Sequence, residues 1–191
     1  MKPRLIVIGA SLGGLKALRA VLGALPAALA RGPAALAVAQ HRDRNGGDAL
    51  ALLLGEVCAL PVRDAQDKTP IAPGTVTLAP AGYHLLAEGD HFALMAREET
   101  DGYGPSIDTL FESAAEDYGA AVVGVVLTGQ GNDGARGLAA IARAGGRVLV
   151  QSPDSAEASS MPTAARAAVP NAEVLPLERI GPRLAELAGG D

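Results

Sequence analysis

Tryptophan is missing from this 191-residue chain, and aromatic residues together make up only 3% of it. With so few large anchors for an interface, a monomer is the expectation. Cysteine is nearly missing too: Cys58 stands alone, which excludes an intrachain disulfide and any multi-thiolate metal site and fits a reducing interior. No apolar stretch reaches the roughly 20 residues of a membrane span. The short run from Arg4 to Gly9 is no signal core either, since it passes directly into small residues around a serine. A basic excess is also absent. The 16 Lys and Arg against 21 Asp and Glu leave a net charge of −5, without a dense cationic patch or interleaved aromatics, so nucleic-acid binding is not expected. What remains is a cytoplasmic protein without membrane insertion. At 49% hydrophobic residues the chain is long enough to bury one core, and residues 1–191 are expected to form a single domain.

What is present is alternation. Arg4 to Ile8 reads as a buried strand, and Leu15, Leu18, Val21, Leu22 and Leu25 then recur at helical spacing before Pro26. Ala34 to Ala39 is a second strand, followed by a polar loop through Gly46 and Gly47 and a helix carrying Leu50, Leu53, Leu54 and Val57, with Cys58 expected in its core-facing stretch. From Pro61 to Arg97 the pattern breaks into short strand-like runs, Val76 to Leu78, His84 to Ala87 and Phe92 to Arg97, around the turn Glu88-Gly89-Asp90, which reads as a hairpin insertion. His84 and His91 fall in this insertion and read as packing or surface residues.

After a loop from Glu98 to Pro105, Ser106 is a candidate helix cap, and Asp108 suits the positive first turn of a helix running to about Tyr118. Ala121 to Leu127 is a valine-rich strand, Ala135 to Ala144 a helix, and Arg147 to Val150 another strand. A serine-bearing loop, a short helix from Met161 to Ala168, and a last strand end and amphipathic helix between Leu175 and Leu187 complete the chain. The expected fold is α/β: a doubly wound, mostly parallel, Rossmann-like sheet flanked by helices, with the β-hairpin in the middle.

In such sheets the loops at the carboxyl ends of the strands gather along one edge, and sites form there. Three of these loops carry chemistry. The first strand ends in Gly9-x-Ser11-x-Gly13, a sharp strand-to-helix turn whose glycines relieve crowding around a projecting hydroxyl. The second ends in Gln40-His41, and the strand to Leu127 ends in Thr128-Gly129-Gln130-Gly131-Asn132-Asp133-Gly134. A serine hydroxyl becomes a nucleophile only when a base takes its proton, and the base needs a carboxylate to fix its tautomer. Ser11, His41 and Asp133 are candidates for these roles. The oxyanion donors are expected among the backbone amides of Leu12, Gly129, Gln130 and Gly131. A nucleotide-binding turn at Gly9-x-x-x-Gly13-Gly14 is the competing reading. It is disfavoured because the second strand ends in Gln40-His41 rather than an acidic residue, and because no Walker-type Lys-Ser/Thr pair follows. The chain order Ser, His, Asp also differs from the Ser, Asp, His order of α/β-hydrolases.

These residues belong to a longer ordered set. It comprises Ile8-Gly9-Ala10-Ser11-x-Gly13-Gly14, Gln40-His41, Ile71-Ala72-Pro73-Gly74, Leu78-Ala79-Pro80, Pro105-Ser106-Ile107-Asp108-x-Leu110-Phe111, Leu127-Thr128-Gly129-x-Gly131-x-Asp133-Gly134-Ala135 and Met161-Pro162. In that order, across nearly the whole chain, the set resembles the catalytic domain of the CheB-type chemotaxis receptor methylesterases. The resemblance implies a serine hydrolase that cleaves glutamate γ-methyl esters on cytoplasmic helices of methyl-accepting chemoreceptors, releasing methanol, and in some relatives deamidates receptor glutamines. It also implies Ser11 as nucleophile, His41 as base and Asp133 as orienting carboxylate, with no metal or cofactor.

Four positions depart from the family pattern: Leu12 for threonine, Arg42 for methionine, Gly104 for a basic residue and Gln130 for methionine. They bear on pocket shape and receptor contacts rather than on the reaction class. Because the first strand begins at Arg4, the expectation is a stand-alone catalytic domain without the receiver that many members carry, with a separate regulatory partner in its place. Two alternatives accompany this reading: an esterase for another substrate, and a non-catalytic receptor-binding regulatory module.

Overall fold

A computed structural model describes residues 4–43, 49–98 and 103–189. The loop expected through Gly46 and Gly47, and residues 99–102 of the loop expected from Glu98 to Pro105, lie outside the described residues.

Seven strands form the main sheet, every neighbouring pair parallel: β1 (Arg4–Ala10), β2 (Ala34–Gln40), β3 (Val62–Asp64), β5 (Val76–Leu78), β8 (Val122–Val126), β9 (Arg147–Gln151) and β10 (Glu173–Leu175). Their order is β10-β9-β8-β1-β2-β5-β3, so the chain runs outward in one direction from β1 through β2 and in the other from β1 through β8. The switch point therefore falls between β1 and β8. The expected doubly wound, mostly parallel sheet is observed. The middle of the chain divides. β3 and β5 join the main sheet, while β4 (Thr69–Pro70), β6 (Tyr83–Glu88) and β7 (His91–Ala96) form a separate antiparallel sheet whose β6–β7 hairpin matches the expected insertion.

Side-chain alternation along the buried strands assigns the two faces. From β1, Ile6 and Ile8 point toward α1 (Gly14–Gly23), α2 (Ala49–Gly55) and α6 (Leu177–Gly189), and pack with Leu18, Leu22, Leu54, Ile180 and Leu184. Leu5 and Val7 point the other way, into the layer of α3 (Ile107–Tyr118), α4 (Ala135–Arg143), α5 (Ser160–Ala168) and the small sheet, with Phe92, Ile107, Phe111, Leu138 and Met161. Cys58 differs from expectation. α2 ends at Gly55, and Cys58 lies beyond it, half-buried against the α1 side rather than within the core; burial raises its thiol pKa, and a hydrogen bond at the Leu60 backbone opposes this in part.

α3 begins as the sequence predicts: the Ser106 side chain accepts from the Thr109 amide at 3.2 Å, and Asp108 occupies the first turn. The start of this helix lies over the carboxyl end of β1, which Gly9 permits, since a Cβ there would fall 2.3 Å from Ile107 Cγ2. No described helix is long and apolar enough to cross a membrane.

Candidate active site

β1 lies between β2 and β8, and its register pairs Ala10 with Gln40, so Ser11 and His41 emerge side by side, each one residue past its strand. Backbone bonds join the three strand ends: the His41 amide donates to Ala10 O at 2.9 Å and the Ser11 amide to Thr128 O at 2.9 Å. Lys68 is the non-glycine residue with positive φ among those described, so Ser11 itself carries no left-handed strain, and Gly13 makes the turn at φ 78°.

The three predicted side chains meet. Ser11 Oγ is 3.1 Å from His41 Nδ1, and His41 Nε2 is 2.8 Å from Asp133 Oδ2. An ionised carboxylate only accepts, so Asp133 places the ring proton on Nε2 and leaves the Nδ1 lone pair facing the serine hydroxyl. This is the orientation a general base needs.

Asp133 is held from the other side by a helix terminus. Its Oδ2 also accepts from the Ile107 amide at 2.8 Å, and its Oδ1 accepts from the amides of Asp108 and Gly134, each at 2.9 Å. Burial pushes this carboxyl up. The bonds from His41, Ile107 and Asp108 outweigh it, so the net pKa lies below the ordinary value and the group stays charged. Asp108 shifts the other way: burial raises its pKa, and the bond from the Gly137 amide offsets this only in part.

The glycine-rich loop after β8 differs from the expected oxyanion site. The Gly129 amide donates to Ala158 O at 2.9 Å and the Gly131 amide to Ser160 Oγ at 3.1 Å, so both already have acceptors. Gly129 serves close approach instead. A Cβ at this position would stand 2.1 Å from Met161 Sδ and 2.7 Å from Ser11 Cβ, so the glycine lets the loop pass between them. Among the described residues, the amides of Leu12 and Gln130 have no protein acceptor. The Leu12 carbonyl accepts from Thr128 Oγ1 at 2.9 Å, which fixes that peptide, while the Leu12 side chain lies largely in solvent.

Other residues at the site were not singled out for these roles by sequence reasoning. Gln40 Nε2 donates to Ser11 O and His41 O, each at 2.9 Å, clamping the two loops together. The Tyr103 ring lies over His41, nearly parallel at 15° with centroids 6.5 Å apart. Arg42 is not a free surface cation: its amide donates to Gly104 O, and its guanidinium bonds Asp64 Oδ1 at 2.6 Å and the Ala79 carbonyl. The buried Arg97 guanidinium packs over Gly104, where a Cβ would lie 2.5 Å from its Nε. The position of Gln40 directly before His41 was the one available signal, since a polar residue there interrupts a buried strand. The others depend on distant segments closing together. Beside the nucleophile turn lies a cavity of about 240 Å³ lined by Gly13, Lys16, Thr128, Gln151, Glu157 and Leu177, among others. Among the described residues no three His, Cys, Asp or Glu side chains are grouped to hold a metal ion.

Comparison with known proteins points the same way. A family model described as CheB methylesterase matches residues 6–184. The protein-glutamate methylesterase/protein-glutamine glutaminase 1 of Bordetella avium is 43% identical over 183 residues, covering 94% of this chain and 52% of that protein. The protein-glutamate methylesterase FrzG of Myxococcus xanthus is 42% identical over 181 residues, covering 94% and 53% respectively. This chain thus spans about half the length of these curated relatives. The crystal structure of the Thermotoga maritima CheB methylesterase catalytic domain superposes with a TM-score of 0.91 at 29% identity, covering 98% of this chain and 100% of that one.

Proposed function

As this chain belongs to the CheB methylesterase family, we propose that it hydrolyses glutamate γ-methyl esters in the cytoplasmic helices of chemoreceptors, with Ser11 as nucleophile, His41 as base and Asp133 as the carboxylate that orients it. The observation that carries this reading is the continuous line from Ser11 Oγ through His41 Nδ1 and Nε2 to Asp133 Oδ2, at 3.1 and 2.8 Å. His41 takes the hydroxyl proton as Oγ attacks the ester carbonyl. A tetrahedral oxyanion forms, its collapse breaks the carbon–methoxy bond, and His41 returns the proton so that methanol leaves. Water then attacks the acyl-serine by the same route and frees the glutamate carboxylate and Ser11. Asp133 stays ionised throughout and stabilises the imidazolium.

The Leu12 and Gln130 amides are our candidate oxyanion donors, because they are the expected donors without a protein acceptor. A glutamine side chain fits the same sequence of steps with ammonia as the leaving group, in line with the glutaminase half of the name borne by the Bordetella avium relative. The test is methanol release from a methyl-labelled chemoreceptor cytoplasmic domain, beside Ser11→Ala. Turnover should fall by roughly 10⁴-fold to 10⁶-fold in the variant while the fold persists. Release that survives the substitution would remove Ser11 from the reaction. Hydrolysis of a simple aryl acetate but not of the receptor ester would assign the site to another ester.

A further inference from the structure

His84 is buried, 5% exposed, on β6 of the small antiparallel sheet, outside the line of reacting groups. Its Nδ1 accepts the Ser106 amide at 2.9 Å. That amide belongs to the residue capping α3, and an N-cap amide commonly finds its acceptor in a Glu or Gln three residues on. Thr109 stands there: its amide makes the other half of such a box by donating to Ser106 Oγ, but its side chain is shorter than Glu or Gln, and the Ser106 amide bonds His84. A ring from another sheet thus takes the part of a capping-box side chain. The next two amides of the chain, those of Ile107 and Asp108, bond the two carboxylate oxygens of Asp133.

β6 and the turn after it grip α3 at further points along its length. Ser113 Oγ accepts from the Ala87 amide at 3.0 Å, and the Tyr118 hydroxyl donates to Gly89 O at 2.7 Å near the helix end. His84 is the grip at the catalytic end. Resting on the triad reading above, we propose that His84 is a positioning residue of the hydrolytic site: through Ser106 it sets where the first amides of α3 stand, and so where Asp133 holds His41. The insertion between β5 and α3 is then part of the catalytic apparatus, although none of its residues reaches Ser11 Oγ or the His41 ring by a described hydrogen bond.

The experiment compares His84→Leu, His84→Asn and His84→Gln by two readouts, kcat and KM for methyl-ester release and the labelling rate of Ser11 by an organophosphonate, which needs no receptor. Asn carries an acceptor oxygen at the position of Nδ1, whereas Gln carries its acceptor one methylene farther out. His84→Leu should lower both kcat and labelling by about tenfold or more, as loss of a supporting partner does elsewhere. KM should stay within about twofold because the residue acts through Asp133 rather than on substrate. His84→Asn should restore most of the rate and His84→Gln should not. If His84→Leu does not fold, the Asn and Gln pair still decides. Equal rates for those two, or a wild-type rate in folded His84→Leu, overturns the inference. Wild-type protein that is not labelled at Ser11 overturns the triad reading and this inference with it, whereas labelling indifferent to residue 84 overturns this inference alone.

Discussion

Asp133 accepts from His41 and from the amides of Ile107, Asp108 and Gly134, so each of its carboxylate oxygens accepts two hydrogen bonds. An asparagine must turn its NH₂ toward one of these donors. Asp133→Asn should therefore lower kcat by about 10⁴-fold through loss of the correct histidine tautomer. It should also destabilise the fold in a pH-dependent way. Because the folded-state pKa lies below the unfolded value, the stabilisation is complete above the ordinary carboxylate pKa of about 4 and fades as pH falls through the lowered value. Thermal melting of wild type and variant across pH should show the gap widest near neutrality and closing in acid. That Ser11, His41 and Asp133 meet was legible in the chain because Ser11 and His41 each follow an apolar strand directly and Asp133 lies in the polar loop after β8, where strand ends converge. Which of the amides expected as oxyanion donors stand free of a protein acceptor was not legible. Glycine content says that a backbone can turn or be approached, but not which way its N–H points, so Gly129 and Gly131 were read as donors although Ala158 and Ser160 hold their amides.

At the scale of the element, α3 has two duties, covering one face of the sheet with Ile107, Leu110 and Phe111 and presenting its first amides to Asp133. Ser106→Ala removes the cap. The expected cost is about 1 kcal/mol of stability, measurable by denaturant unfolding, together with a fall in kcat as the amides at the helix start lose their anchor. The cap itself was visible in the chain, since Ser106 precedes a helical period and Asp108 follows in the first turn. The carboxylate cradle was not, because it needs the β8 loop to arrive beside a helix start 25 residues earlier in the chain. Likewise β3 was not foreseen: Val62–Asp64 is three residues long and bears two charges, too short for a period to register. β6 and β7 were read as a hairpin because two short apolar runs flank a Glu-Gly-Asp turn.

Across the described residues, a seven-stranded parallel sheet carries a core on each face, beside the small antiparallel sheet; one core is wholly aliphatic and the other holds Phe92, Phe111 and Tyr118. Phe111 is one of the two phenylalanines and is completely buried, so Phe111→Ala should cost about 3–5 kcal/mol. Leu52→Ser, at a side chain 74% exposed, should shift stability by less than about 0.5 kcal/mol. Parallel pairing was anticipated from the alternation of strand-like and helix-like segments, but strand order depends on which faces close, and hydrophobic periods do not encode it.

The distance along the chain between His41 and Asp133, 92 residues, has a kinetic consequence. Contacts so remote pay their loop-closure entropy late, and parallel sheets of high contact order fold slowly. Serine reactivity is thus a clock for the final step. On dilution from denaturant, far-ultraviolet circular dichroism should recover first, and the capacity of Ser11 to be labelled only after β1, β2, β8 and α3 have all docked. Simultaneous recovery of both signals would mean that the chain closes this long loop in the same event that forms its helices.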